Sequence, residues 1–171
     1  MKLHGQISIN GRTYSKGASA PWYAIYPFFL VHMLIFGASG FFMAYGAADP
    51  DALFLYAHGG LAITVYVVFY FAIFGVDEVK WMFINAGLGV LGIYSQMAWL
   101  LSLFGKKIDD LPFHIHVIPF LYFVLYTFLI RHAFLDLLGG RDNEARKKFV
   151  EGAYVVVSIG ICVLFFFLDR R

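Results

Sequence analysis

Charge is scarce in this chain. Charged residues make up 14% of its 171 positions, against about 25% in an average soluble domain. So little charge cannot cover a surface facing water. Cysteine is scarcer still. Cys162 stands alone, which excludes an internal disulfide and any metal cage built from thiolates. No Gly-rich phosphate loop, HExxH helix or Ser-His-Asp pattern occurs. The basic stretch 141–148 is interrupted by Asp142 and Glu144. It reads as a loop beside anionic lipid rather than a nucleic-acid surface. Apart from histidine, no ionisable side chain falls in the middle of an apolar run, since Lys80, Arg131 and Glu151 all lie near run ends. Pumps and proton-coupled transporters usually carry such groups in their path, so their absence weakens the case for active transport.

Apolar residues dominate instead. They make up 61% of the chain, and the mean hydropathy is +0.73. Five runs are long enough to span a bilayer, at about 21–47, 53–76, 81–104, 112–138 and 149–168. Each matches the roughly 20 residues a helix needs to cross the hydrocarbon. Backbone groups in lipid must be paired internally, which favours helices. The runs do not alternate as barrel strands would. The links 48–52, 77–80, 105–111 and 139–148 are short, so neighbouring helices are expected to run antiparallel. The sequence therefore predicts an all-α integral membrane protein, an antiparallel bundle of five transmembrane helices over residues 21–171. Residues 1–20 form a polar N-terminal tail. Asn10-Gly11 within it suits a small hairpin; a flexible tail is the alternative.

Positive charge orients the bundle. With the N-terminus inside, the inner segments hold nine Lys and Arg residues and the outer ones four. This bias predicts a cytoplasmic N-terminus and a periplasmic C-terminus in a bacterial inner membrane. The first run is too long for the core of a cleavable signal.

The histidines carry the remaining chemistry, because neutral imidazole suits haem iron, copper and zinc. At 1.5 Å per residue, His58 lies roughly 8–12 Å below the outer boundary, His116 roughly 6 Å and His114 about 3 Å. His58 and His116 can share a level as the axial pair of a haem b, with His114 or Met97 as a substitute ligand. Gly59 and Gly60 beside His58 leave room for something flat. His32 lies deeper and is either a further candidate cofactor ligand or a hydrogen-bonded packing residue; His132 lies near the inner face and reads as an interfacial residue. In the fourth run, Leu-Pro-Phe-His-Ile-His-Val-Ile-Pro-Phe (111–120) has two readings. A helix starting at Pro112 places His114 and His116 about 200° apart, so only one faces the bundle. A start at Pro119 leaves the segment extended, with both imidazoles on one side as in a surface copper or zinc site.

Asn85, Gly89, Gly92 and Gln96 share a face if the third run is one straight helix. That face is either a packing seam or the edge of a cofactor or quinone site. The cluster Gly37-Ala38-Ser39-Gly40 reads as helix packing. Trp22, Trp81 and Trp99 fall where aromatic belts form.

Three short motifs resemble bacterial cytochrome b561-type proteins. They are Tyr14-Ser15-Lys16-Gly17-Ala18 before the first run, Ala57-His58-Gly59-Gly60 in the second, and Arg131-His132-Ala133-Phe134-Leu135-Asp136 closing the fourth. The family's first-span histidine has no counterpart in Ala20-Pro21-Trp22-Tyr23. The resemblance thus implies one b haem, at His58 with His116, and electron exchange with quinone. Three function classes stay open on the sequence: a small b-haem electron-transfer subunit, a non-catalytic accessory subunit of a larger membrane complex, and a channel, transporter or metal-handling protein. No residue is assigned a catalytic role.

Overall fold

The computed structural model describes residues 2–47, 49–102, 104–140 and 143–168, except the side chains of residues 88, 158, 161, 162, 165, 166 and 168. Arg141, Arg170 and Arg171, which enter the charge count, and the Cys162 side chain therefore lie outside the described residues. Apart from one hairpin, the described chain is helical. The order is β1 (Ile7–Ile9), β2 (Arg12–Tyr14), α1 (Trp22–Tyr45), α2 (Ala52–Phe74), α3 (Val76–Leu88), α4 (Val90–Ser102), a short 3-10 turn (Ile108–Asp110), α5 (Phe113–Leu137) and α6 (Glu144–Leu168).

Three of these helices, α1, α2 and α5, are long and apolar enough to cross a membrane. A fourth crossing is possible if α3 and α4 count as one broken span, bent by 70°. Here the structure departs from the sequence expectation. The third run was expected to be one helix from about 81 to 104, joined to the second by a link over 77–80. Instead α3 begins at Val76, directly after Gly75, whose φ of +90° turns the chain in one residue. Asp77 and Glu78 lie in the first turn of α3, where carboxylates favour the positive end of the helix dipole. The break follows Leu88. The Gly89 N–H closes the last turn on the Asn85 carbonyl at 2.8 Å, and Gly89 then leaves helical geometry. The bend splits the face that Asn85, Gly89, Gly92 and Gln96 would share on a straight axis.

The N-terminal residues form the hairpin, not a flexible tail. Ile7 to Ile9 pair antiparallel with Arg12 to Tyr14. Asn10 and Gly11 both take positive φ, 50° and 75°, as a tight two-residue turn requires. Leu3, Ile7, Ile9 and Ala20 are buried. The N–H groups of His4 and Gly5 both donate to the Ala72 carbonyl, at 2.8 and 2.7 Å. They satisfy an acceptor near the end of α2 that the helix itself leaves open.

The core is made by α1, α2 and α5. α1 and α5 run antiparallel and are tied at both ends, by Tyr26 donating to the Asp136 carboxylate and by Tyr45 meeting His116. α2 lies alongside both. The buried Tyr70 hydroxyl donates to the Leu125 carbonyl at 2.8 Å and lies 3.0 Å from the Met33 sulfur. Gly37 and Gly40 face the ring of Tyr122, which makes that glycine cluster a packing surface. α2 approaches α5 still more closely. A Cβ on Gly59 would stand 2.5 Å from Cγ2 of Ile118, whereas one on Gly60 would meet nothing within 4 Å.

The two glycines should therefore answer alanine with opposite signs. Gly59→Ala pushes a β-branched core side chain aside and should destabilise by about 1–3 kcal/mol. Gly60→Ala should be neutral or gain up to about 1 kcal/mol from helix propensity. Thermal unfolding of the detergent-solubilised protein measures both, and equal losses would contradict this packing.

Candidate functional site

Two polar clusters terminate the bundle, one at each end. At the end where α1 stops and α5 starts, the centre is His116. α5 begins at Phe113 with Pro112 as its extended N-terminal cap, where a missing N–H is harmless. The segment 112–118 is therefore not extended. His114 and His116 diverge, the first exposed and the second 9% exposed. A surface copper or zinc site using both imidazoles on one side does not form.

Both ring nitrogens of His116 face protein groups. Nε2 lies 3.0 Å from the Ile108 carbonyl and 3.3 Å from that of Leu111. Carbonyls only accept, so Nε2 carries the proton. Nδ1 is then the acceptor and takes the Tyr45 hydroxyl proton at 2.9 Å. Lys106 extends the cluster, its ammonium donating to the carbonyls of Tyr45 and Ala47 at the end of α1. A cation there completes carbonyls left open by the helix and suits its negative end. Tyr56 of α2 donates to the His114 carbonyl at 2.7 Å. One network thus joins α1, α2, α5 and the turn 106–111.

At the other end, His132 is 3% exposed. It packs between the rings of Phe74 and Phe128, at 4.5 and 4.3 Å. Its Nε2 lies 3.7 Å from the Glu78 carboxylate of α3. Arg131 pairs with Glu151 and so links α5 to α6. A cavity of about 270 Å³ opens here, lined by Glu78, Arg131, His132, Leu135, Gly140 and Lys147. A smaller one of about 170 Å³ lies at the opposite end, lined by Phe41, Phe42, Tyr45, Gly46, Phe104 and Lys106.

The other candidate ligands are dispersed. His58 is half-buried, its ring 6.0 Å from those of both Phe36 and Phe54. Met97 is buried in the core. Gln96 is half-buried on α4 and engaged with its surroundings. His32 is exposed on α1. Among the described residues, no group of three or more His, Cys, Asp and Glu could hold a metal ion. A b haem between His58 and His116 does not fit the arrangement. The space beside Gly59 is taken by Ile118, and both nitrogens of His116 are engaged by protein groups.

The sequence reading did not find Tyr45, Tyr26, Tyr70, Asp136 or Lys106, which supply the network. A usable signal existed for one pair. Tyr26 sits near the start of the first run and Asp136 near the end of the fourth, so an antiparallel pairing brings them level. No protein-family model, curated protein or solved structure matches the chain.

Tyr45→Phe leaves the buried Nδ1 of His116 without its donor. It should lower unfolding stability by about 1–3 kcal/mol. Tyr23→Phe, at a side chain 67% exposed, should stay within about 0.5 kcal/mol of wild type. Equal effects in thermal unfolding would remove His116 from its structural role.

Proposed function

We propose that this chain is a non-catalytic integral-membrane subunit that packs within a larger membrane assembly. In this reading the bundle crosses the bilayer five times, with α3 and α4 as one broken span and α6 as the fifth. The hairpin end is cytoplasmic. That end carries Lys16, Lys80, Arg131, Arg146 and Lys147, and the other carries Lys106 and Lys107. Positive charge is retained on the cytoplasmic side.

The observation that carries the reading is polarity and open backbone on outward faces. Asn85 is exposed on α3 beside the exposed apolar side chains of Trp81, Phe83 and Ile84. An amide in lipid needs a partner, and helices in membranes supply one to each other. Gly87 on α3 and Gly152 and Gly160 on α6 would each accept a Cβ without meeting any atom within 4 Å. These glycines leave notches through which another helix can approach closely. The interior imidazoles meanwhile serve the bundle: His116 ties the end of α1 to the turn 106–111, and His132 fills the layer between Phe74 and Phe128.

Extracted from its native membrane in mild detergent, the chain should run well above its monomer mass of 19.4 kDa. Gly152→Leu with Gly160→Leu should release it from that assembly while its own unfolding stability changes by less than about 0.5 kcal/mol. A monodisperse wild-type monomer would contradict the proposal. So would a reduced-minus-oxidised b-type spectrum in the purified protein that disappears in His58→Ala.

A further inference from the structure

The cavity beside His132 carries charge of both signs. It lies where α3, α5 and α6 meet, with Glu78, Arg131 and Lys147 in its wall and a volume of about 270 Å³. Glu78 is the third residue of α3 and Lys147 the fourth of α6, so both stand close to the starts of their helices. Arg131 lies six residues before the end of α5, about 9 Å along its axis. In the membrane placement proposed above, this is the headgroup level of the cytoplasmic leaflet. The charges are only partly used within the chain. Arg131 meets Glu151 through one terminal nitrogen, Nη2, and its fork has further donors. Lys147 is half-buried and makes no ion pair among the described residues. The Glu78 side chain is 47% exposed and turns one oxygen, Oε2, to His132 at 3.7 Å. Backbone donors add nothing, because the Gly140 N–H is already given to the Leu135 carbonyl at 2.7 Å.

We infer that this cavity binds a phosphate ester carrying a primary ammonium, and that the ligand is the headgroup of an aminophospholipid. The mixture of charge selects the class. A simple anion would meet Arg131 and Lys147 but be repelled by Glu78. A simple cation would meet Glu78 but be repelled by Arg131 and Lys147. A ligand with both charges leaves none of the three opposed. Its phosphate accepts from the guanidinium and the Lys147 ammonium, and its own ammonium donates to the Glu78 carboxylate. A quaternary ammonium has no N–H to donate, so it leaves that carboxylate unmet.

The surface next to the charges chooses a lipid over a soluble ester. Toward the bilayer centre, Trp81 lies one turn deeper than Glu78 and about 60° round α3, with 59% of its surface exposed. Tyr154 lies two turns deeper than Lys147, about 20° round α6, and is half-buried. Such rings sit at the headgroup boundary, where they bed the first carbons of an acyl chain. A soluble ester would gain nothing from them. The site rests on the membrane placement proposed above and not on the assembly. A chain that stays soluble without detergent fails that placement. One that needs detergent yet shows no headgroup preference fails the site alone.

The full chain in detergent micelles is titrated with phosphatidylethanolamine, phosphatidylcholine and phosphatidylglycerol of the same acyl chains, and bound lipid is counted by native mass spectrometry. The first phosphatidylethanolamine should bind about tenfold more tightly than phosphatidylcholine, the worth of one charge-assisted hydrogen bond. Glu78→Gln should erase that preference. Lys147→Met should weaken both lipids about tenfold. Lys148→Met removes an exposed cation about 100° round α6 and should change neither. Equal affinity for phosphatidylethanolamine and phosphatidylcholine, a preference indifferent to Glu78→Gln, or tighter binding of phosphatidylglycerol would overturn the assignment. Free phosphoethanolamine binding as tightly as the lipid would also overturn it, in favour of a soluble ligand. Should Glu78→Gln fail to fold, Lys147→Met and Lys148→Met decide between them, and equal effects overturn the site.

Discussion

The hydrogen bond between Tyr45 and His116 is the contact on which the end of the bundle where α1 stops and α5 starts depends. It joins the last residue of α1 to the first turn of α5 across a buried interface. The same imidazole holds the carbonyls of Ile108 and Leu111, while Lys106 returns to the carbonyls ending α1. In an apolar medium each of these groups would be expensive to leave alone. Grouped together, they satisfy one another and fix the register of α1 against α5. Tyr26 and Asp136 do the same at the opposite end. Between the two ties the interface is shaped by close contact, with Ile118 against Gly59 and the Tyr122 ring against Gly40.

Much of this was legible in the sequence. The long apolar runs gave the spans of α1, α2 and α5 to within a few residues, because length and hydropathy are properties of a segment by itself. Asn10-Gly11 marked its turn, and Pro112 marked the start of α5, for equally local reasons. The broken third run was not legible. Its spacing of Asn85, Gly89, Gly92 and Gln96 fits a helix only if the axis is straight, and two closely spaced glycines remove that condition. The network around His116 was hidden for another reason. Its members come from α1, the turn 106–111 and α5, so their meeting depends on tertiary packing that no spacing records. Gly59 had invited the thought of an open space, yet whether a glycine is an opening or a close contact is decided by the helix opposite.

His116 and His32 show how one side chain serves opposite ends. Each is a histidine on a long apolar helix. In His116 the second nitrogen is taken by Tyr45, and the ring becomes a strut. In His32 the backbone takes one nitrogen and leaves the other facing outward. Depth and residue type, which a sequence supplies, do not separate these cases; the partner of the second nitrogen does. The same distinction divides the bundle as a whole. Its interior polar groups serve the fold, while those on its outward faces, Asn85 and His32, are available to whatever packs there.

The structural role of His116 is tested most directly by nitrogen NMR of the protein with 15N-labelled histidine, with the His116→Gln variant used to assign its signals. The expected spectrum shows a protonated Nε2 and an unprotonated Nδ1 that accepts a hydrogen bond, with the Nδ1 shift altered in Tyr45→Phe. A protonated Nδ1, a metal-bound nitrogen, or a ring indifferent to the loss of the Tyr45 hydroxyl would contradict it.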